Sequence, residues 1–542
     1  MIDRRSFLKS VAGITSAPFF FVPKSVYGET TKKANVIFII VDDSEYIEYG
    51  CYGGKTLTPN IDSIAQQGVL FKNGFTTSSV CTPTRYTCMS GKYASRAESL
   101  YTEDHQPKNM STFVRWNTNL ESGGWNIASV LRNNGYATGM VGKWHIGHGE
   151  YYQQKYSGIT IPESIHGRKA VNLNDTKVNE YLKNRYAIQV EDIKKSYGFD
   201  YVAAFYGGNL TDFPVSLKNF AKHNQDWITQ GAVDFISRNA EIKKPFFLYL
   251  STTLQHGPSP SDSVEADRKI TAAGLIEKAP DVQPGYESIY KRLDDAGIPR
   301  DRAPYLWLDD GVGAVLDSLK QHHIDKDTAV FFFSDQQSWG KGSCLDGGVR
   351  TPYLFTWPNG VKGGQVNEEL VSNIDFAPTI FDICDVTVPT DMHLDGMSFL
   401  PLVKGRDIKW RDAAFFELGN MRAVHTKYFK YIAIRRFSDE EWGKMPPSIQ
   451  KNQEFRNSYF RLNKEWTASS PEHLRQSSIA KWRYDHAKYA EDADQLYDLR
   501  IDAGETVNLA GNAEYADVLR EMKALLKKWL ATMPGPYWEF KG

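Results

Sequence analysis

The longest apolar runs in this chain are continuous rather than alternating, and each stops abruptly at polar residues. Val36-Ile-Phe-Ile-Ile-Val41 runs into Asp42-Asp43, and Tyr136 to Val141 runs into Gly142-Lys143-Trp144-His145. Phe246 to Leu250 leads to His256, and Ala329 to Phe333 ends at Ser334-Asp335. Successive side chains of a strand point to opposite faces, so an unbroken apolar run predicts a strand covered on both sides, as in a parallel sheet between helices. Helical spacing appears between the runs: Ile61, Ile64 and Ala65 within 59–68, then Ala128, Val130 and Leu131. Tyr305 to Leu319 follows with Leu308, Val312, Val315 and Leu319 on one face. Strand–helix alternation predicts an α/β fold with a large, mostly parallel central sheet. Ligands of open α/β sheets bind beyond the carboxyl ends of the strands. Asp42, Asp43, Lys143, His145, His256 and Asp335 all fall there.

The pattern changes after about residue 420. A short strand is expected over Tyr428–Ile434, then a Trp-, Tyr- and Arg-rich insertion, then a helix over Ala516–Leu530. Residues 33–420 are therefore read as the main domain and 421–542 as a smaller C-terminal α+β subdomain. The first residues carry Arg4-Arg5-Ser6-Phe7-Leu8-Lys9, followed by an apolar stretch from Val11 to Val22. That stretch is shorter than the roughly 20 residues a membrane-spanning helix needs. It reads as a secretory signal, and its arginine pair looks like the bacterial twin-arginine type. Residues 1–28 are expected to be removed on export, making an export translocase a partner and the mature protein periplasmic or secreted.

Composition narrows the chemistry. Lys plus Arg (64) nearly equals Asp plus Glu (65) among 542 residues, for a net charge of −1. A nucleic-acid binder would carry a basic excess to displace counterions, so any charged ligand must be held by a local cluster. Five cysteines over this length form no disulfide framework, and no Cys-x-x-Cys pair suggests structural zinc. Four read as ordinary buried thiols.

Cys81 reads differently, because it stands in Cys81-Thr82-Pro83-Thr84-Arg85. Pro83 suits the first turn of a helix, where its missing N–H has no partner to lose. Residue 81 would then sit at a helix N-terminus, facing an anion with free N–H groups and the positive end of the dipole. Arg85 lies one turn on and addresses the same pocket. Asp42, Asp43 and Asp335 offer hard oxygen ligands, which select Ca²⁺ or Mg²⁺ over zinc.

Cys-x-Pro-x-Arg resembles the maturation signal of the type I formylglycine-dependent sulfatases, of the alkaline phosphatase-like superfamily. The resemblance extends over most of the chain. It includes Gly50-Cys51-Tyr52-Gly53-Gly54, Thr58-Pro59-Asn60-Ile61-Asp62, Gly142-Lys143-Trp144-His145-Ile146-Gly147 and His256 with Pro258. It continues through Ser334-Asp335, Lys341-Gly342, Gly347-Gly348-Val349-Arg350-Thr351-Pro352, Asp375-Phe376-Ala377-Pro378-Thr379 and Leu496-Tyr497-Asp498-Leu499 with Glu505. The resemblance implies an alkaline phosphatase-like sandwich that hydrolyses sulfate esters.

It further implies that Cys81 is oxidised to formylglycine by a separate maturation enzyme, and that one Ca²⁺ is held by Asp42, Asp43, residue 81, Asp335 and Gln336. Gln336 stands where the family usually has Asn or His. Arg85, Lys143 and Lys341 match cations around sulfate. His256, with Lys341, would protonate the departing sugar oxygen, Asp335 would serve as base, and His145 would take the remaining hydroxyl proton. His148 lies close to His145 in the chain.

Segments 149–232, 257–303 and 436–490 are the least family-like and are expected to wall the substrate cleft. Residues 449–483 hold seven Lys/Arg against three Asp/Glu, with Phe455, Tyr459, Phe460, Trp466 and Trp482. This suits an anionic glycan, and equally a subdomain core. A sulfated polysaccharide or oligosaccharide is the expected substrate. The alternatives are a phosphonate or phosphate ester hydrolase of the same superfamily and a non-catalytic glycan-binding relative.

Overall fold

An eight-stranded sheet sets the frame of the computed structural model. The model describes residues 33–101, 112–147, 159–435 and 492–535, with 440, 443–444, 447–450, 489 and 537. The expected signal (1–28), His148 and all but the first two residues of 449–483 lie outside the described residues. The strands, in chain order, are β1 (Asn35–Val41), β2 (Val69–Phe75), β3 (Ala137–Lys143), β4 (Tyr201–Tyr206) and β5 (Phe246–Ser251). A short hairpin, β6 (Ile270–Thr271) and β7 (Gly274–Leu275), precedes β8 (Thr328–Ser334), β9 (Tyr353–Thr356) and β10 (Gln365–Ser372). The order across the sheet is β10-β2-β9-β8-β1-β5-β3-β4. Only β9 runs antiparallel to its neighbours, so the carboxyl ends of β8, β1, β5, β3 and β4 share one edge.

The unbroken apolar runs have the expected cause. Val36, Phe38 and Ile40 of β1 pack into one core, and Ile37, Ile39 and Val41 into another on the opposite face. Each such side chain contributes roughly 1.5–3 kcal/mol by leaving water. The covering helices include α1 (Pro59–Gln67), α2 (Cys81–Ser90), α3 (Ile127–Asn133), α4 (Thr176–Tyr197), α5 (Gln225–Glu241), α6 (Ala303–Gln321) and α7 (Phe376–Ile383). Asn126 caps α3, accepting from Ala128 and Ser129. No helix among the described residues is long and apolar enough to cross a membrane.

A second, antiparallel sheet is built from β11 (Ala413–Leu418), β12 (Met421–Thr426), β13 (Phe429–Ile434) and β14 (Asp494–Asp498), in that order. It begins ahead of residue 421, where composition put the boundary. Leu418 pairs with Met421 across a tight turn in which Gly419 takes φ +52°, so a cut at 420 would sever a hairpin. The helix α8 (Ala516–Leu530) packs on β12 and β13.

One face of this sheet shares a core with Phe75, Val80, Leu345 and Val349. At that junction the fully buried Lys430 donates to Asp346 and lies 2.7 Å from Glu505 Oε1. The Asp346 N–H donates to Glu505 Oε2 (2.6 Å), and His425 Nε2 stands 3.5 Å from Asp346 Oδ1. Burial works against the charge on Asp346, but Lys430 and His425 outweigh it and hold the carboxyl well below its usual range. Burial pushes Glu505 up to about 7, with Lys430 opposing.

Candidate active site

Each predicted residue arrives at the shared strand edge through its own element. Asp42 and Asp43 follow β1, Asp335 and Gln336 follow the adjacent β8, and Lys143 ends β3. Oxygens of Asp42, Asp43 and Asp335 all lie within 4.8 Å of one another. The strand ends are tied together: Ser44 N–H donates to Ser334 Oγ (3.0 Å), and Asp43 N–H donates to Asp335 Oδ1 (3.2 Å). Asp43 and His145 sit at φ +53° and +59°, a left-handed conformation that non-glycine residues adopt at a cost of order 1–3 kcal/mol. At Gly142 (φ +92°) a Cβ would stand 1.8 Å from the Ser251 carbonyl oxygen, so only glycine lets β3 bend and deliver Lys143.

Cys81 is the first residue of α2, and the whole helix is buried. Pro83 falls within its first turn and Gly91 (φ +70°) terminates it. The thiol lies 3.8 Å from Asp42 Oδ1, 3.8 Å from Lys143 Nζ and 3.1 Å from Gln336 Nε2. The side chain of Gln336, despite its extra methylene, reaches both Cys81 and Asp43 (2.6 Å). Arg85 Nε donates to Asp335 Oδ2 (3.0 Å), and NH2 lies 2.8 Å from the same oxygen and 3.6 Å from Asp42 Oδ2. Lys341 Nζ donates to both oxygens of Asp43 (2.8 and 2.7 Å), and Lys143 donates to Asp42. His256 Nε2 faces Asp43 Oδ2 at 3.6 Å, while its Nδ1 is 2.9 Å from the Gly257 carbonyl. His145 Nδ1 is buried without a hydrogen-bond partner.

Charge crowding splits the acids. Burial raises all three carboxyls, but Lys143, His256, Arg85 and Lys341 hold Asp42 well below its ordinary value, and Lys341 leads the same effect on Asp43. Asp335 is pushed up to about 7, by burial first and then by Asp42. Burial also lifts the Cys81 thiol to about 12 against Lys143 and Lys341, so an unmodified thiol here is no thiolate nucleophile. Burial, helped by Lys143 and Arg85, drives His145 well below its usual value and leaves it a neutral proton acceptor.

The donor set fits a hard divalent cation. Three carboxylates converge, and Gln336 Oε1 is a buried oxygen without a partner. A half-turn of that amide exchanges N and O, which places the carbonyl beside Asp43 and residue 81. All-oxygen ligation of this kind suits Ca²⁺ or Mg²⁺.

Three contributors were not read from the sequence. Asn209, after β4, accepts from Lys143 Nζ at 2.6 Å. Ser251 Oγ and Tyr249 OH accept from Arg85 NH1, the latter at 3.4 Å. The signal for Asn209 was Gly207-Gly208-Asn209 closing an apolar run, obscured because β4 reads as part of a divergent segment.

A helix terminus carrying Cys81, with converging carboxylates and cations at the carboxyl edge of a parallel sheet, makes a hydrolase centre for anionic esters whose acidic cluster could hold a metal ion. The chain belongs to the sulfatase family, whose model matches residues 34–386. A second model, N-sulphoglucosamine sulphohydrolase, C-terminal, matches residues 337–442. The human N-acetylgalactosamine-6-sulfatase is 27% identical over 392 residues, covering 69% of this chain and 66% of that protein. The ulvan-active sulfatase of Formosa agariphila is 23% identical over 511 residues, covering 92% and 80%. BT4656, solved with its substrate D-glucosamine-2-N,6-O-disulfate, superposes with a TM-score of 0.56 at 17% identity, covering 92% of this chain and 98% of that one.

Proposed function

We propose that this protein hydrolyses sulfate esters on a carbohydrate, with residue 81 acting as a formylglycine formed from Cys81. The observation that carries the reading is the position of Cys81, at the start of α2 and within hydrogen-bonding range of Lys143 and Gln336 beside Asp42. Formylglycine supplies a hydrated aldehyde as the oxygen nucleophile, and a divalent cation, Ca²⁺ by family resemblance, supplies charge neutralisation and polarisation of a sulfate oxygen. Asp42, Asp43, Asp335 and the Gln336 carbonyl would hold that cation.

The remaining work belongs to the chain's own side chains. Arg85 stays fixed by Asp335 and Ser251 and keeps the carboxylates in register. Lys143 and Lys341 present N–H groups to the sulfate oxygens, where charge grows in the transition state. The Nδ1–H of His256 donates to the Gly257 carbonyl, so it is the imidazolium form, with Asp43 Oδ2 3.6 Å from Nε2, that gives the Nε2 proton to the departing sugar oxygen and keeps the Nδ1 hydrogen. Neutral His145 takes the remaining hydroxyl proton and releases sulfate.

The carbohydrate class draws on the relatives' names. The arginine pair and short apolar stretch at the N-terminus support export to the periplasm or beyond, through a translocase and after action of the maturation enzyme.

The deciding measurement is the mass of the peptide containing residue 81 in protein from its native host. The expected mass is that of formylglycine; an intact thiol, with Cys81→Ser equally active, overturns the proposal. Sulfate and phosphate esters of one chromophore test the reaction type, with a large phosphate preference counting against it. Chelation is expected to abolish turnover and lower the melting temperature, both restored by Ca²⁺.

A further inference from the structure

His223 stands apart from the residues assigned above, yet it is only 2% exposed and both of its ring nitrogens are engaged. It immediately precedes Asn224, the cap of α5. Nδ1 lies 2.8 Å from Thr253 Oγ1, and Nε2 lies 2.9 Å from the Pro258 carbonyl oxygen. These contacts bracket the segment 253–258, which follows β5 and carries His256. The bracketed segment also grips the metal-ligand strand. Asp42 N–H donates to the Leu254 carbonyl at 2.7 Å, and Gln255 N–H donates to the Asp42 carbonyl. Within the segment, His256 N–H donates to the Thr253 carbonyl at 3.2 Å.

The protonation state follows from the partners. A carbonyl only accepts, so Nε2 carries the hydrogen, and the Thr253 hydroxyl donates to a bare Nδ1. Burial pushes His223 down to about 4, in keeping with that neutral tautomer. Both ring nitrogens of His223 are then paired without any net charge.

We infer that His223 is a positioning residue for His256, a rigid strut that holds Thr253 and Pro258 apart and so aims His256 Nε2 at the leaving-group oxygen. The inference rests on the reading of His256 as proton donor. Misplacement of a reacting group by about 1 Å costs on the order of 10²-fold in rate. That loss falls on esters whose leaving group needs a proton and spares those whose leaving group departs as a stable anion.

The test uses the matured enzyme and two probes, 4-nitrophenyl sulfate and 4-methoxyphenyl sulfate. His223→Leu is expected to lower kcat on the methoxyphenyl ester by roughly 30–100-fold, and on the nitrophenyl ester by less than about 3-fold, with KM little changed. His223→Gln keeps a donor near the Nε2 position and is expected to recover most of the loss. Thr253→Val removes the other contact at equal volume, is expected to give a smaller loss of the same kind, and decides the matter if His223→Leu does not fold. His256→Ala is the reference and should show the largest dependence on leaving group. Equal losses on both esters, or no loss in either strut variant, overturn the inference when His256→Ala does show that dependence. If His256→Ala itself is indifferent to the leaving group, the proton-donor reading falls and the strut with it.

Discussion

Two of the buried ionic clusters among the described residues are put to opposite uses. At the junction of the two sheets, Lys430 lies between the two carboxylates of Asp346 and Glu505, beside His425. At the carboxyl edge of the large sheet, three carboxylates and three cations converge, and Gln336 Oε1 and His145 Nδ1 are left without partners. The junction cluster ties one sheet to the other. The crowded one retains unspent interaction energy that a cation and an anion can collect, which is how active sites come to hold strongly shifted acids. Neither burial nor pairing separates the two, since Asp42, Asp43 and Asp335 each have a cation beside them; the convergence of three carboxylates within 4.8 Å of one another does.

Exchanging the consequences of mutation would break this contrast. The largest effect is expected from Asp335→Asn, with kcat down by at least ~10³-fold, about 4 kcal/mol in barrier. Because Asp335 is an acid raised by burial and by Asp42, the chelated variant should melt no lower than the chelated wild type. Wild-type turnover, or a large loss of stability with turnover retained, would show that the cluster is structural. Next comes Lys430→Met, which strands Asp346 and should cost ~3–5 kcal/mol in denaturant unfolding. Its kcat per folded molecule should stay within a few-fold, and a turnover loss matching Asp335→Asn would erase the distinction.

The smallest effect is a pH dependence. The folded carboxyl of Glu505 is raised from its ordinary 4.5 to about 7, so between those values the folded state holds a proton that the unfolded state has released. The stability contribution of this group therefore falls as pH rises from about 4.5 to about 7. Glu505→Gln cannot titrate, so it should gain on the wild type across that window and run parallel above it. The gain is at most about 1.4 kcal/mol per pH unit, the value of one proton held in the folded state alone. Parallel melting curves of the two proteins from pH 4.5 to 7 would show that Lys430 keeps Glu505 ionised throughout.

The contrast also explains what could be read from the sequence. Strands β1, β3, β5 and β8 were legible because burial on both faces writes an unbroken apolar run, and the residues ending them followed at once. The edge strand β10 (QVNEELVS) is half polar and gave no such run, and β9 spans only four residues. The hairpin of β11 and β12 was cut at its turn because compositional change registers the following insertion rather than the pairing of Leu418 with Met421. Motif spacing brought ten candidate residues to the site. Cys51, expected to be buried, is only partly so, whereas Cys88, Cys344 and Cys384 are buried. Ser251, Tyr249 and His223 act through spatial neighbours far away in the chain, and no local pattern marks them; Asn209 had a signal in Gly207-Gly208-Asn209, obscured by the divergent segment around it.

Residue 81 has no exposed surface in the folded chain, nor has any neighbour on the first turn of α2 beyond a trace. On the proposed reading, a maturation enzyme that must surround the Cys81 thiol finds no approach once the sheet and α2 have closed. Oxidation would then have to precede folding, and a chain that folded first would stay unmodified until it unfolded again. The population of working molecules would be set by a race between two rates, not by the affinity of the finished protein for anything.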